Sequence, residues 1–193
     1  MTVRPATAAD HEQIARICLL TGATGKDATG VFSNDTTLSD VYATPYLHGP
    51  GGFCLVWDVD GEARGYVLGT DGTRAFQEWF TGEWWPSRAE RHPARTDGDG
   101  WLLPEAQNPG RTLIDRVDEF PAHLHIDLLP DQQGKGAGRA LIDACVELLR
   151  ARGVKGLHLV AEKANAGAQA FYPRVGFEAI NDAETVVTFA RRL

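Results

Sequence analysis

Three glycines at every second position, Gly134, Gly136 and Gly138, stand in the stretch QGKGAGR (133–139), directly ahead of an apolar helical pattern. A backbone without Cβ atoms can curl closely around an anion. The first N–H groups of a helix have no partner inside it and carry the positive end of its dipole. Lys135 and Arg139 add charge. These are the ingredients of a pyrophosphate site. The same residues also suit a flexible strand-to-helix turn, although one glycine usually suffices there. A Rossmann loop has a different glycine spacing and an acidic residue about 20 positions on, which is not evident here. A second loop, TGATGKDATG (21–30), contains Gly25-Lys26, but Leu20 stands where a Walker loop has its first glycine and Asp27 where it has Ser or Thr.

A second group of residues could move protons. In AHLHIDLLP (122–130), strand alternation puts Leu124, Ile126 and Leu128 on one face and His123, His125 and Asp127 on the other. That polar row is either a set of candidate bases or a structural hydrogen-bond row under a helix. Tyr172, in NAGAQAFYPRVGF (165–177), is a phenol that stays protonated at neutral pH and could serve as a general acid, or could simply pack with its hydroxyl in water. Pro173 disfavours helical geometry at the residue before it. No third and fourth ligand accompany the histidine pair at a recognisable spacing, so no metal site is expected.

The elements that must position these residues are legible from periodicity. TVRPA reads as a first strand, and TAADHEQIARICLLTG as a helix capped by Thr7 and stopped at Gly22, with Ile14, Ile17, Cys18 and Leu20 on its apolar face. SDVYATPYLH reads as a second helix broken near Pro45. GGFCLVWDVDGEARGYVLGTD is a hairpin turning at Asp60-Gly61. Residues 74–110, with Trp79, Trp84, Trp85 and Trp101, show no clean period and read as an insertion, fit to line a groove or to form a satellite cluster or dimer surface. TLIDRVDEF suggests a short helix. After the strand at 122–130, a helix from about Gly136 to Ala151 carries the stripe Leu141, Ile142, Cys145, Val146, Leu148 and Leu149, with Gly153 placed to end it. A strand (VKGLHLVAE), a short helix ending near Gly176 and a final strand (ETVVTFARRL) complete the chain. The expected fold is one α/β (α+β) domain over residues 1–193. It is a mixed, mostly antiparallel sheet with one parallel βαβ unit and helices on both faces.

A net charge of −7 argues against a nucleic-acid partner, which calls for a basic face. No apolar run is long enough to cross a bilayer, and the N-terminus lacks the apolar region of a secretory leader. Cys18, Cys54 and Cys145 are odd in number and sit among apolar residues, as suits free thiols in a reducing, cytoplasmic setting.

Two motifs at their usual separation give the chain a family likeness. Gln133, Gly136 and Gly138 match the loop Q/R-x-x-G-x-G/A, and Asn165, Ala168, Phe171 and Tyr172, followed by Gly176-Phe177, match N-x-x-A-x-x-(L/F)-Y…G-F. Together with the opening VRPATAADHEQIARI, they resemble the GCN5-related N-acetyltransferase (GNAT) superfamily. Over roughly 65–190 the chain also resembles the acetyltransferase-like domain of O-GlcNAcase and its free-standing bacterial relatives. The animal domain lacks a workable acetyl-CoA loop, whereas QQGKGAGR is intact here. The resemblance implies acetyl-CoA as donor, with no metal, and transfer to a primary amine on a small molecule or peptide; a homodimer is common in the superfamily. It implies that backbone N–H groups from Gly134 through Lys135, Gly136, Ala137 and Gly138 to Arg139 hold the pyrophosphate. It further implies that Leu128 and Leu129 pair with the pantetheine arm, and that Asn165 and Phe171 contact the cofactor. Tyr172 becomes the expected acid, and Asp127 or His125 the expected base, with Glu162 a weaker candidate. A sensor or scaffold that binds acetyl-CoA without turnover would carry the same loop.

Overall fold

Asp60 and Gly61 both take positive φ, 55° and 91°, and so turn strand β2 (Gly52–Val59) into β3 (Glu62–Thr70). In the computed structural model, which describes residues 1–193, this hairpin sits inside one seven-stranded sheet. The other strands are β1 (Thr2–Pro5), β4 (Ala122–Leu128), β5 (Gly156–Glu162), β6 (Glu178–Asp182) and β7 (Val186–Arg192), in the order β1-β2-β3-β4-β5-β7-β6. Every neighbouring pair is antiparallel except β4 with β5. That parallel pair is joined through α5 (Ala137–Ala151), because parallel strands need a long crossover.

Helices cover both faces. On one side α1 (His11–Thr21), α2 (Thr37–Tyr42), α3 (Thr73–Trp79) and α4 (Asp97–Gln107) pack a core of Ile14, Ile17, Leu38, Tyr66, Phe76 and Leu102. On the other, α5 and α6 (Ala166–Arg174) pack Leu141, Ile142 and Leu149 against Leu124, Leu157 and Leu159. The α5 stripe is buried as its 3.6-residue spacing requires, apart from half-buried Leu148; on α1, Leu20 is likewise half-buried.

Three expectations change. Strand β6 was not legible: EAIND is polar, sits at the sheet edge and is largely exposed, so no alternating apolar pattern marks it. Thr112–Phe120 forms turns rather than a helix. The tryptophan-rich stretch is mostly helical, running from α3 through a π-helical turn (Phe80–Trp84) and a 3-10 turn (Ala89–Arg91) to α4. Trp84 and Trp85 are buried in the first core and Trp79 packs against it. The apolar residues here face a core made by distant elements, so local periodicity does not reveal them.

Asp99 pins this stretch to the rest of the domain. Burial would raise the pKa of its carboxyl. The backbone N–H groups of Arg95 (3.0 Å), Ser33 (3.2 Å) and Thr96 (2.9 Å) outweigh that and hold it below the usual carboxylate range. The Thr96 hydroxyl accepts from the Asp99 N–H in return, closing a capping box. Asp99→Ala leaves those donors without an acceptor in a dry site. It should lower stability by about 2–3 kcal/mol, read from the midpoint shift in urea unfolding.

Candidate active site

Strands β4 and β5 pair only at Ala122–Leu157 and His123–His158. Beyond that they diverge, because β4 stays in register with β3 through Leu128 and β5 stays in register with β7 through Glu162. The wedge between them opens as a cleft of about 250 Å3, lined by Leu124–Asp127 on one side and Leu159–Glu162 on the other. The N–H of Leu129 donates to the Arg64 carbonyl of β3 at 3.1 Å. Antiparallel alternation then turns the N–H and C=O groups of Leu124, Ile126 and Leu128 away from β3; the last pair with β5 takes up the Leu124 N–H, so the wedge receives the Leu124 carbonyl and the groups of Ile126 and Leu128. Apart from the Leu128 carbonyl, these are unpaired strand edge, open to an extended ligand. Of the two residues expected to pair with such a ligand, Leu128 presents its backbone and Leu129 does not. The Leu128 carbonyl itself accepts from Gln133 Nε2 at 3.1 Å.

The glycine stretch follows directly. Gly134 and Gly136 adopt φ of 72° and 85°, which L side chains rarely take, and a Cβ on either would point into open space. Gly136 is the N-cap of α5 in the left-handed conformation, so the helix begins with unpartnered N–H groups and no side-chain cap. Gly138 serves a different purpose: a Cβ there would lie 3.1 Å from Phe171, so its absence lets α5 and α6 approach. Arg139 does not stand free at the loop, since its guanidinium donates to the Arg174 carbonyl at 2.7 Å, tying the start of α5 to the end of α6. Lys135 is exposed, and Ala137 is buried beneath the turn. Asn165 lines the cleft, but its side-chain oxygen caps α6 by accepting from the Ala168 N–H at 3.0 Å.

Tyr172 also lines the cleft and is helical in spite of Pro173. Its ring is wedged among Phe171, Phe177 and Phe189. The hydroxyl makes no hydrogen bond within the protein, yet it is not sealed from solvent, so its small exposure lies at the cleft. Burial, and then the charge of Asp127, push its phenol well above the ordinary tyrosine value.

Strand β4 runs without a bulge, so His123, His125 and Asp127 do share a face. The Tyr66 hydroxyl donates to Asp127 Oδ2 at 2.6 Å. Desolvation raises the Asp127 pKa, and the Tyr66 and Thr21 hydroxyls oppose that rise. Tyr46 bridges the histidines, its hydroxyl lying 2.7 Å from His123 Nε2 and 3.0 Å from His125 Nε2. Burial, then the Arg111 charge, push His125 down to about 3. The Arg111 guanidinium is sealed from solvent with no hydrogen-bond partner, held over the rings of Phe80 (4.5 Å) and Tyr42 (5.2 Å). Glu162 lines the cleft at the end of β5 and accepts from the Thr24 hydroxyl at 3.0 Å. Of the tryptophans only Trp101 reaches the cleft, at 49% exposure. Sequence reasoning missed Tyr46, Tyr66 and Arg111. Once the hairpin is extended to β4, its register alone would have set Tyr66 opposite Asp127. No group of three or more His, Cys, Asp or Glu side chains is placed to hold a metal ion, and no helix is long and apolar enough to cross a membrane.

The pattern of the acetyltransferase (GNAT) family matches residues 26–177, and the chain belongs to that family. Membership makes it an acyltransferase by class. It is similar over nearly its whole length to SsHAT, whose crystal structure overlays with a TM-score of 0.90 at 37% identity, covering 99% of this chain and 97% of that one. That whole-length likeness agrees with the narrower resemblance read from the sequence. Curated relatives are named mycothiol acetyltransferase. The one from Beutenbergia cavernae is 37% identical over 103 residues, covering 50% of this chain and 31% of that protein. The one from Amycolatopsis mediterranei is 29% identical over 191 residues, covering 87% and 59%. The chain thus spans less than two thirds of the relatives it matches. The PaiA N-acetyltransferase from Thermoplasma acidophilum, solved in complex with coenzyme A, shares the fold at a TM-score of 0.58 and 12% identity, with all of both chains covered.

A buried carboxylate with a raised pKa costs stability once it ionises. Asp127 contributes no such cost below its unfolded value near 4; the cost appears as pH climbs from there through the folded value. Asp127→Asn should therefore stabilise the protein at pH 7 and not at pH 3. Denaturant titrations of both proteins at the two pH values check this, and equal stability at pH 7 would contradict the burial assigned to this group.

Proposed function

We propose that the protein is an acetyl-CoA-dependent N-acetyltransferase that acetylates a primary amine by direct attack. One observation carries this reading: a single wedge in the sheet meets three features. They are the open strand edge at Ile126 and Leu128, a phenol hydroxyl on a residue that lines the cleft, and, where Leu128 packs against Gly138, the uncapped start of α5 after two left-handed glycines. The residues present fit the donor. Open space around Gly134 and Gly136 leaves room for a pyrophosphate against the first N–H groups of α5, with Lys135 beside it. Asn165 still has its amide N–H groups for a cofactor arm, and Phe171 walls the gap between α5 and α6.

The bound donor supplies the acetyl thioester on which the amine acts. An N–H on the free edge of β4 donates to the carbonyl oxygen as charge grows there. As the new C–N bond forms and the C–S bond breaks, Tyr172 gives its hydroxyl proton to the departing sulfur; burial keeps the phenol protonated until then. Asp127 lines the cleft, and its Oδ1 is not the oxygen that Tyr66 holds, so it can take the proton the amine must lose. His125 stands two positions away on the same face. Trp101, Tyr42 and Leu38 line the same cleft and are the acceptor's contacts. The names of the mycothiol acetyltransferases suggest a small-molecule acceptor, and a peptide amine fits the same chemistry. The free state of all three cysteines supports a cytoplasmic setting.

Release of free thiol from acetyl-CoA, measured across a panel of primary amines, tests the reading. Turnover with at least one amine is expected. Tyr172→Phe should lower kcat about 100-fold. Gly136→Glu, which puts a side chain and a negative charge into the cradle, should abolish the rise in Tm that acetyl-CoA gives the parent protein. Binding without turnover on any amine would instead make the chain an acetyl-CoA sensor or scaffold.

A further inference from the structure

The hydrogen bonds behind the cleft run in one direction only. Thr73 Oγ1 lies 2.7 Å from the Pro121 carbonyl oxygen and 2.8 Å from His123 Nδ1. Two oxygens that close need a proton between them, and a carbonyl cannot supply it. The one hydroxyl proton of Thr73 therefore goes to Pro121, and His123 Nδ1 must carry a hydrogen and donate to Thr73. His123 is kept neutral by burial, and by His125, His158 and Arg111 nearby, so its Nε2 is a lone pair. The Tyr46 hydroxyl spends its single proton on that nitrogen at 2.7 Å. At 3.0 Å from His125 Nε2, the Tyr46 oxygen can then only accept. Arg111, a pure donor, also faces the Tyr46 hydroxyl, which suits an oxygen with its lone pairs free. At the end of the chain stands His125 Nδ1. It has no partner in the protein, is not sealed, and belongs to a residue that lines the cleft.

We infer that Thr73, His123 and Tyr46 are positioning residues that hold His125 in its Nε2–H tautomer, so that Nδ1 presents a lone pair to an N–H of the acceptor amine. The inference rests on the transferase reading and sharpens its acceptor. Asp127 Oδ1 and His125 Nδ1 both accept, and a nucleophile that donates twice satisfies both. A primary amine that gives one proton to Asp127 keeps an N–H for His125 Nδ1, which orients its lone pair away from both acceptors.

Nuclear magnetic resonance of the protein labelled with 15N in histidine reads the tautomer directly, with His125 assigned by its loss in His125→Gln. The expected result is an unprotonated Nδ1 and a protonated Nε2. Tyr46→Phe removes the only acceptor of the Nε2 hydrogen and should populate both tautomers. It should also lower kcat/KM for the amine about tenfold, the worth of one hydrogen bond, while the rise in Tm with acetyl-CoA persists. Tyr46 is fully buried, so Thr73→Val, at the far end of the chain, gives the same reading should Tyr46→Phe fail to fold. A protonated Nδ1 in the parent protein overturns the inference, as does a tautomer that neither variant disturbs. Turnover alongside the opposite tautomer removes this inference alone. The stated tautomer without turnover on any amine removes the transferase reading, and with it the role given to Nδ1.

Discussion

Everything at the site depends on two parallel strands that part company after two residue pairs. Separation leaves backbone donors and acceptors without partners, which a folded chain normally avoids. The sheet tolerates it because each strand is fixed on its other side, β4 by six pairs with β3 and β5 by seven with β7. The wedge is therefore a rigid opening in a continuous sheet and not a frayed edge. At the end of β4 the Leu128 side chain packs against Gly138 in the first turn of α5, whose first N–H groups are unpartnered as well. A single elongated ligand with an anionic end and an amide-bearing arm can answer both sets of unmet hydrogen bonds.

Strand β4 divides its labour by face. Leu124 enters the core under α5, while His123, His125 and Asp127 lie under the helices of the opposite layer. Three polar side chains in such a place would be a liability if their bonding were incomplete. Thr73, Tyr46 and Tyr66 complete it from α3, from the turn after α2 and from β3. What remains unmet is confined to atoms that open on the cleft. A structural row under a helix and a row of candidate bases were alternative readings of the sequence; the bonds from Thr73, Tyr46 and Tyr66 make it a structural row, and the proposed chemistry would use the two members, His125 and Asp127, that also line the cleft.

The sequence was most informative where one segment makes a feature by itself. Asp60-Gly61 closes a hairpin, and glycines 134, 136 and 138 open a helix. Alternation in 122–128 sorts two faces, and the spacing of Leu141, Ile142, Cys145 and Leu149 marks a buried stripe. It was silent where distant segments meet. Nothing in Tyr46 or Thr73 signals a histidine some fifty to eighty residues later. Polar β6 becomes a strand only because β7 offers an edge. Arg139, a cation beside an anion loop in the sequence, is spent on a carbonyl of α6, a contact that no local pattern encodes.

The same distinction separates the two substrates. The donor side of the cleft is one stretch of chain, from β4 through the loop to α5, with α6 some thirty residues on. Family motifs describe such stretches well. The opposite wall of the cleft, where the proposed acceptor would bind, is gathered from α1 to α2 and from α4, so it has no linear signature. Trp84 and Trp85 show how easily composition misleads there: both are core, and only Trp101, held on α4 beside the Asp99 pin, is turned outward to the cleft. The 73–111 stretch therefore reaches the cleft through Trp101 alone, and the Asp99 bonds that start α4 fix where that ring stands, while the glycine loop is built without it.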